Sequence, residues 1–312
     1  MNTLALCIPA YNAEAFLPRL LHSALHQLIP FDEILVYNDC STDNTAHIAA
    51  QYGVTVLNGK VNNGCSYGKN KLAVHSTCKW LHFHDADDDL LPDFTEKVHN
   101  WLNTNAEKYD VLLLNFNYID FETGDLLGAA NYNAAELNTD ALKYAISNKI
   151  VNFGVYKRQT FLEAKGFDLD PDVLYNEDNA LHQRLAKHGL KFDYLPEVTC
   201  INYRYSNSMS SSNRLKCLRA QYYVMKKTAA THGKLYSKEL ADQLFALAPL
   251  LAAESDWPYV RKSLELCASL GNNYTVKGSS LFRFLTRLHP FAAIWLREQA
   301  IRLLKPHLRK HA

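Results

Sequence analysis

The sequence lacks several features that would assign it to a protein class directly. None of its apolar runs approaches the roughly 20 residues that a membrane-spanning helix needs, and no basic segment precedes the short apolar run near the N-terminus. We therefore expect neither a transmembrane helix nor a secretory signal. The 33 basic and 32 acidic residues leave a net charge of +1, so we expect no nucleic-acid partner.

Cysteine is present without a recognisable pattern. The seven cysteines are scattered, with no Cys-x-x-Cys pair and no histidines at zinc-finger spacing. An odd, unpatterned set favours free thiols in a reducing compartment, and hence a cytoplasmic location.

The first 116 residues alternate between strand-like and helix-like periodicity. With 312 residues, 48% of them hydrophobic, the chain is long enough for one large core or two modest ones. Alternation of this kind predicts an α/β fold with a mostly parallel, doubly wound sheet flanked by helices. The predicted strands are 3–8, 33–37, 54–57, 80–83 and 111–116, and helices are predicted between them.

The rhythm changes after residue 116. A hairpin around Glu122-Thr123-Gly124, one helix over 134–147 and one over 176–188 are predicted, with short strands between. From about Asn213 the pattern is all helical, with breaks near Gly233, Trp257, Gly271 and Pro290. The sequence therefore divides into regions 1–116, 117–212 and 213–312.

Small and acidic residues follow the first four predicted strands. Because ligands bind outside the carboxyl ends of parallel strands, these loops are where chemistry is expected. The fourth loop places the carboxylates of Asp85, Asp87, Asp88 and Asp89 within five residues. A hard divalent cation, Mg²⁺ or Mn²⁺, would relieve their repulsion, and such an ion usually completes its shell with substrate phosphates. Taken singly, each loop is more often a solvated turn or a helix cap, and their joint placement at successive strand ends favours the metal site.

Six segments resemble the inverting family 2 glycosyltransferases and occur in that family's order. They are IPAYNAE, FDEILVYNDCSTDNT, NNGCSYGKN, HFHDADDDLLPDF, KGFD and NEDNALHQRL, and the resemblance spans residues 3–205. It implies a GT-A (Rossmann-like) fold, with 1–116 as the nucleotide-sugar-binding half, 117–212 as the acceptor-binding half and 213–312 as a helical C-terminal region. Asn38 and Cys40 stand where the family usually has Asp and Gly, and Lys69 where Arg is frequent.

The resemblance also implies roles for individual residues. Those that would bind the donor are Pro9, Ala10, Tyr11, Asp39, Gly64, Lys69, Asn70, Asp85, Ala86 and Asp87. Asp85 and Asp87 would form the metal-binding Asp-x-Asp motif, with Asp87 the direct ligand of Mn²⁺ or Mg²⁺. Asp178 would be the general base, with Glu177 beside it.

Physical chemistry supports these roles and supplies an alternative for the acidic pair. A metal at the leaving diphosphate stabilises the charge that develops there, and repulsion from Glu177 could raise the basicity of Asp178. However, Glu177 and Asp178 also open a predicted helix, whose positive end favours carboxylates. Taken alone, a capping role is at least as consistent with the sequence. A single displacement, in which the acceptor hydroxyl attacks the sugar and the base takes its proton, inverts the anomeric carbon.

The C-terminal segment 279–312 concentrates positive charge. It carries seven Lys or Arg residues against the single acid Glu298, interleaved with Phe, Leu, Ile and Trp. A cationic amphipathic helix of this kind can lie in an anionic membrane surface, placing the protein peripherally on the inner face of the cell membrane. The alternative is a helix that packs on the rest of the chain and keeps a solvated basic face.

We therefore predict a metal-dependent inverting glycosyltransferase of the hexosyl or N-acetylhexosaminyl type. It would move a sugar from a nucleotide-sugar donor, a UDP-sugar by preference, to a hydroxyl of a glycan or lipid-linked saccharide. One alternative is a nucleotidyltransferase, although the loop Pro9–Asn12 lacks the Gly-rich basic character that a triphosphate needs. The other is a catalytically silent protein that binds sugar nucleotides or glycans.

Overall fold

A computed structural model describes residues 2–151, 153–205 and 212–309. The chain forms two compact units. Unit 1 comprises residues 1–145, 150–169 and 177–208, and unit 2 comprises 146–149, 170–176 and 209–312. Unit 1 includes most of both predicted halves of the catalytic region, while residues 146–149 and 170–176 of the second half belong to unit 2. The division at residues 116 and 212 stays a prediction, since it concerns which ligand each half binds.

The first half of unit 1 is the predicted strand–helix repeat. Its strands are β1 (Leu4–Ala10), β2 (Glu33–Asn38), β3 (Thr55–Asn58) and β4 (Trp80–Phe83), and its helices are α1 (Leu17–Leu25), α2 (Thr45–Gln51) and α3 (Cys65–His75). The strands lie in the order β3-β2-β1-β4 and all pair in parallel. The carboxyl ends of these strands therefore meet at one edge of the sheet.

The second half of unit 1 continues the sheet with mixed strand directions. It contains β5 (Asp89–Leu90), α4 (Phe94–Asn105), β6 (Val111–Asp120), β7 (Leu126–Ala129), α5 (Ala134–Thr139), α6 (Ala141–Ser147), β8 (Gly154–Lys157), α7 (Arg158–Glu163), α8 (Glu177–Lys187) and β9 (Phe192–Arg204). Strand β8 lies antiparallel between β4 and β6, and β9 is parallel to β6 and antiparallel to β5. The sheet is thus entirely parallel in its first half and mixed in its second.

Alternating side chains of the sheet feed two cores, one on each face. In β1, Leu4, Leu6 and Ile8 contribute to one core, while Ala5 and Cys7 contribute to the other. The first core also takes apolar residues of α1, α2 and α4, and the second takes residues of α3, α7 and α8. Helices therefore cover both faces, as the alternation of strands and helices in the sequence predicted.

The helix predicted over 134–147 is two helices. Asp140 has an extended backbone, with φ −155° and ψ 93°, and separates α5 from α6. The Asn133 side chain accepts hydrogen bonds from the backbone at the start of α5, and the Asp140 carboxylate accepts one from the Lys143 N–H. Asn and Asp are favoured at helix N-termini because their side chains satisfy these N–H groups, which explains the second start.

Unit 2 is helical, as predicted. Its helices are α9 (Arg214–His232), α10 (Ser237–Ala253), α11 (Trp257–Ser269), α12 (Ser280–Leu288) and α13 (Pro290–Leu304), with short 3-10 helices at Pro171–Asn176 and Pro306–Arg309. The helices end and begin at the predicted breaks. Among the described helices, none combines the length and hydrophobicity required to cross a bilayer.

Candidate functional site

The loop after β2 is tied to the loop that precedes α3. The carboxylate of Asp39, which is 3% exposed, accepts hydrogen bonds from the backbone N–H groups of Asn63 and Gly64 at 2.9 and 2.7 Å. Gly64 has φ +84°, a left-handed conformation that suits glycine, and directly precedes α3. Asp39 therefore fixes the start of α3, and its predicted role in binding the donor stays a prediction.

The two departures from the family pattern after β2 have local explanations. Asn38 donates to the Asn58 side-chain oxygen at 2.9 Å and accepts from the Ser41 N–H at 3.1 Å, so it joins the ends of β2 and β3. Cys40 has φ +62°, a conformation that glycine adopts without steric cost. The backbone keeps the glycine-like shape although the side chain has changed.

The end of β1 presents one aromatic side chain. Pro9 and Ala10 are buried, whereas Tyr11 is 50% exposed. Pro9 lies close to α3, since a Cβ added to Gly68 would come within 3.5 Å of the Pro9 Cβ and 2.8 Å of the Tyr37 ring. The strand end and the helix start are therefore packed together, and Tyr11 offers a ring beside them.

Lys69 is a buried cation among acidic groups. It is 1% exposed, and its Nζ lies 3.0 Å from an oxygen of Asp85 and 5.2 Å from the centre of the Phe167 ring. Burial alone would lower the pKa of Lys69, but the charges of Asp85, Asp178 and Glu177 outweigh it and raise this pKa well above its ordinary value. Lys69 therefore lies in the candidate site and links the loop after β4 electrostatically to the start of α8.

Asn70 pairs with the backbone of Phe167. Its amide donates to the Phe167 carbonyl at 2.9 Å and accepts from the Phe167 N–H at 2.9 Å. This pairing fixes the turn at Lys165 and Gly166, both of which have positive φ. The structure thus gives Asn70 a positioning role, and a contact with the donor stays a prediction.

The four carboxylates after β4 separate into two pairs. Asp88, 2% exposed, accepts hydrogen bonds from the Asn202 side chain at 2.7 Å and the Tyr203 N–H at 2.8 Å. Asp89 accepts from Arg19 Nε at 2.9 Å and from the Tyr203 hydroxyl at 3.1 Å. Asp88 and Asp89 therefore attach the loop to the end of β9.

The other pair, Asp85 and Asp87, has the character of a cation site. No other described residue donates a hydrogen bond to the Asp87 carboxylate, and burial together with the charge of Asp85 raises the pKa of Asp87. Ala86 between them is 9% exposed. Two hard oxygen donors that repel each other in a partly buried loop fit a divalent cation such as Mg²⁺ or Mn²⁺.

Glu177 and Asp178 lie in the first turn of α8, as the capping interpretation predicted. Burial raises the pKa of Glu177, and the Cys65 thiol lies 3.5 Å from its Oε1. The Asp178 carbonyl lies 2.7 Å from Nδ1 of His182, and Nε2 of the same histidine lies 3.0 Å from the Tyr156 hydroxyl. The start of α8 therefore lies beside Lys69, whose charge acts on both carboxylates.

His82 of β4 and His84, which directly follows this strand, belong to the core. His82 and His84 are fully buried, with His82 Nδ1 2.9 Å from the Gly154 carbonyl and His82 Nε2 2.9 Å from His84 Nδ1.

Arg19 of α1 reaches the acidic loop, where its Nε donates to Asp89. It was not predicted, because nothing in its sequence surroundings distinguishes it from a solvated helix residue.

Comparison with known proteins places the chain in a family. The sequence profile described as Glycosyl transferase family 2 matches residues 5–162. The chain belongs to glycosyltransferase family 2. It is therefore a glycosyltransferase, an enzyme of nucleotide-sugar-dependent glycosyl transfer.

Two relatives with named activities are similar to this chain. The provisionally named teichuronic acid biosynthesis glycosyltransferase TuaG of Bacillus subtilis is 25% identical over 229 residues, which cover 72% of this chain and 87% of that protein. The 4,4'-diaponeurosporenoate glycosyltransferase of Staphylococcus aureus is 37% identical over 113 residues, covering 34% of this chain and 30% of that protein.

Solved structures show the same GT-A fold. Residues 1–349 of S. aureus TarS in complex with UDP-GlcNAc match with a TM-score of 0.73 at 16% identity, covering 96% of this chain and 92% of that one. The mannosyltransferase PcManGT from Pyrobaculum calidifontis, in complex with GDP-Man and Mn²⁺, matches with a TM-score of 0.57 at 15% identity, covering 97% and 87%.

Proposed function

We propose that this glycosyltransferase transfers a sugar from a UDP-sugar to a hydroxyl of a glycan or lipid-linked saccharide, with inversion at the anomeric carbon. The observation that carries the proposal is the position of three acidic residues, Asp85, Glu177 and Asp178, near the buried ammonium group of Lys69. Donor-side and acceptor-side acidic residues are thereby brought to the same end of the sheet.

The donor would lie along the strand ends. The ring of Tyr11 offers a stacking surface for the base, beside the buried Pro9 and Ala10. The loop at Gly64, held by Asp39, would lie at the ribose and diphosphate, with Asp85, Ala86 and Asp87 opposite. UDP is the nucleotide that we favour, because the TarS structure, with the higher TM-score of the two, holds UDP-GlcNAc.

Asp87 and Asp85 would hold the Mn²⁺ or Mg²⁺ ion. When bound there, such an ion supplies Lewis-acid stabilisation of the negative charge that develops on the departing diphosphate. The Mn²⁺ complex of PcManGT supports this cofactor class. Lys69, fixed against Asp85, would keep the orientation of that carboxylate.

Asp178 would accept the proton of the acceptor hydroxyl. As the new bond forms between that oxygen and the anomeric carbon, the bond from the carbon to the diphosphate oxygen breaks, and the nucleoside diphosphate leaves with its electron pair. One in-line displacement inverts the anomeric configuration, so an α-linked donor gives a β-glycoside. Asp178 stands in the first turn of α8, where the helix end favours its charged form.

The acceptor is the least constrained partner. The name of the TuaG relative refers to teichuronic acid biosynthesis, which supports a saccharide acceptor here. Membership of family 2 argues against the nucleotidyltransferase alternative. The remaining alternative, a catalytically silent sugar-nucleotide or glycan-binding protein, would bind the donor without turnover. A turnover assay with the donor therefore separates it from the enzyme.

We further propose that the C-terminal helices place the enzyme peripherally on the inner face of the cell membrane. In α12, Leu281, Phe284 and Leu288 recur at helical spacing on one face and are 67%, 58% and 68% exposed. Arg283 and Arg287 are exposed beside them. An exposed apolar strip flanked by cations suits an anionic lipid surface.

Helix α13 supports both sequence interpretations of this segment. Its residues Ala293 and Ile294 are buried, so the helix packs within unit 2, yet Leu303 and Leu304 are 81% and 75% exposed. Lys310, the last of the predicted basic residues, lies outside the described range. The packed helix therefore still presents apolar side chains outward.

A nucleotide screen tests the donor and metal assignments together. UDP, GDP, CDP and dTDP are added with MnCl₂ and thermal unfolding is followed, since a ligand that binds only the folded protein raises its melting temperature. We expect the largest increase with UDP and Mn²⁺, its loss in Asp87→Asn, and its retention in Glu107→Gln, an exposed carboxylate at the end of α4. An unchanged response in Asp87→Asn would contradict the metal assignment.

A further inference from the structure

Arg19 joins the acidic loop to the end of β9. One terminal nitrogen of its guanidinium donates to the Asp87 carbonyl at 2.6 Å and lies 3.2 Å from the Tyr205 hydroxyl. Its Nε donates to Asp89 at 2.9 Å, and its plane lies over the Tyr203 ring at 4.2 Å from the centroid. The side chain thus contacts both segments through nearly every part of its head group.

Asp87 is the residue that these contacts fix. Its carbonyl accepts two hydrogen bonds, one from Arg19 at 2.6 Å and one from the Tyr205 hydroxyl at 3.1 Å. Its carboxylate, by contrast, receives none from any other residue of the described ranges. The backbone of Asp87 is therefore held from outside the loop, while its carboxylate stays available to a ligand.

The contact pattern distinguishes positioning from simple charge neutralisation. A neutralising cation needs only to be near the acids, and lysine would serve. Here two nitrogens of one planar group bond to different residues, and its face lies on Tyr203, with the Phe121 ring 5.4 Å from the guanidinium carbon. Lysine, a single point charge on a flexible stem, cannot reproduce this fork.

We propose that Arg19 is a positioning residue for Asp87 and thereby sets the affinity of the site for its divalent cation. The inference rests on the proposed function, because it takes Asp87 as a metal ligand. Groups that orient metal ligands through hydrogen bonds commonly change metal affinity about 10–100-fold when removed. Arg19 acts through the backbone of Asp87, because it fixes the position of the main chain from which the Asp87 carboxylate extends.

The test compares three variants with the wild-type protein. Arg19→Gln removes the charge and most of the fork, and Arg19→Lys restores the charge alone. Arg158→Gln is the matched control, because Arg158 also holds backbone carbonyls, those of Ala73 and Val74 at 2.8 and 3.0 Å, at the end of α3. The dissociation constant of Mn²⁺ is measured by titration calorimetry in the presence of saturating UDP, and the melting temperature of each variant is recorded without ligand.

We expect Mn²⁺ to bind at least about tenfold more weakly to Arg19→Gln. Arg19→Lys should recover only part of the loss, and Arg158→Gln should bind Mn²⁺ as the wild type does even where its melting temperature falls. In turnover assays, the Mn²⁺ concentration for half-maximal rate should rise more than kcat falls.

The outcomes separate this inference from the function on which it rests. Wild-type protein that binds no Mn²⁺ with UDP overturns the proposed metal site and the inference together. Normal Mn²⁺ binding by the wild type with an unchanged dissociation constant in Arg19→Gln overturns the inference alone. Equal weakening in Arg158→Gln, or full recovery in Arg19→Lys, also overturns it, because either result would assign the effect to fold stability or to charge.

Discussion

The strand-end loops of unit 1 and the last helices of unit 2 depart in opposite directions from the usual distribution of polarity. In these loops and the helix turn that follows them, charged side chains are buried: Asp88 is 2% exposed, and Lys69, in the first turns of α3, is 1% exposed. In α12 and α13, large apolar side chains are exposed, Leu303 by 81%. Each departure costs stability, in desolvated charge or in hydrated apolar surface, and such costs are characteristic of functional sites.

The buried carboxylates of the two units also differ in the direction of their pKa shifts. Burial raises the pKa of Asp87 and Glu177 in unit 1, with Asp85 adding to the effect. Burial also opposes ionisation of Glu298 in unit 2, but hydrogen bonds and charges of Arg309 and Arg302 outweigh it and lower that pKa. A buried acid is therefore stabilising where its partners are complete, and available for ligands where they are not.

The largest expected effect is on the acid assigned as base. Asp178→Asn should lower kcat about 10³-fold, because a carboxamide cannot accept the hydroxyl proton, while the dissociation constant of the donor stays unchanged. Product configuration and rate are measured by proton NMR with a UDP-sugar, and the wild-type product should be inverted.

A first-turn acid of another helix separates catalysis from capping. Glu96 is an acidic residue in the first turn of α4, as Asp178 is in α8, but Glu96 is exposed whereas Asp178 is half-buried. Glu96→Gln should cost about 0.3–1 kcal/mol of stability at most and leave turnover intact. If Asp178→Asn behaved in the same way, the capping interpretation would suffice and another base would be needed.

Much of the fold could be predicted because the local spacing of apolar residues distinguishes strands from helices. The change from period 2 to period 3.6 located every strand–helix repeat of the first half, and β4 has the predicted bounds Trp80–Phe83. The break at Asp140 was missed, since the apolar spacing continues across it and only the capping geometry reveals it. The antiparallel insertion of β8 depends on pairing with β4 and β6, which no local signal encodes.

The candidate site was predictable as a set of loops, and less so as a set of contacts. Asp85 to Asp89 look alike in the sequence, and what separates Asp88 from Asp87 is Asn202 and Tyr203, more than 100 residues further along the chain. Likewise, Arg19 occupies an ordinary polar position of an amphipathic helix. Such roles arise from tertiary contacts, and a single sequence does not reveal them.

The next largest effect concerns the exposed apolar strip. The double variant Phe284→Ser, Leu288→Ser should reduce partitioning onto vesicles containing phosphatidylglycerol about 10²-fold, because each side chain contributes about 1.5–3 kcal/mol when fully buried in an apolar phase. Partitioning is measured by vesicle sedimentation. Leu235→Ser, at a residue 73% exposed elsewhere in unit 2, is the control and should partition as the wild type does.

The basic residues beside the strip should contribute less. Arg283→Gln and Arg287→Gln should each weaken binding to anionic vesicles by about 1 kcal/mol, roughly fivefold, and leave binding to neutral phosphatidylcholine vesicles unchanged. Equal partitioning of the double apolar variant and the wild type would remove the membrane role and leave α12 as a packing element.

A comparison of stabilities distinguishes the two kinds of buried acid. Glu298 accepts hydrogen bonds from Arg302 at 2.8 Å and from Arg309 at 2.8 and 2.9 Å, and its side chain is 4% exposed. Glu298→Gln should therefore lower the free energy of unfolding by about 1–3 kcal/mol at pH 7. Glu177→Gln, the same substitution in unit 1, should leave stability unchanged or raise it, because burial already disfavours the Glu177 anion.

The pH dependence of these two variants should have opposite signs. The folded pKa of Glu298 lies below its unfolded value of about 4.3, so its contribution is complete above that value and disappears as the pH falls through the folded pKa. The difference between wild type and Glu298→Gln should shrink accordingly from pH 7 to pH 3 in urea unfolding. The folded pKa of Glu177 is raised, so the wild type gains stability relative to Glu177→Gln as the pH falls through it. Parallel pH profiles for both variants would mean that the two regions hold their buried carboxylates in the same way.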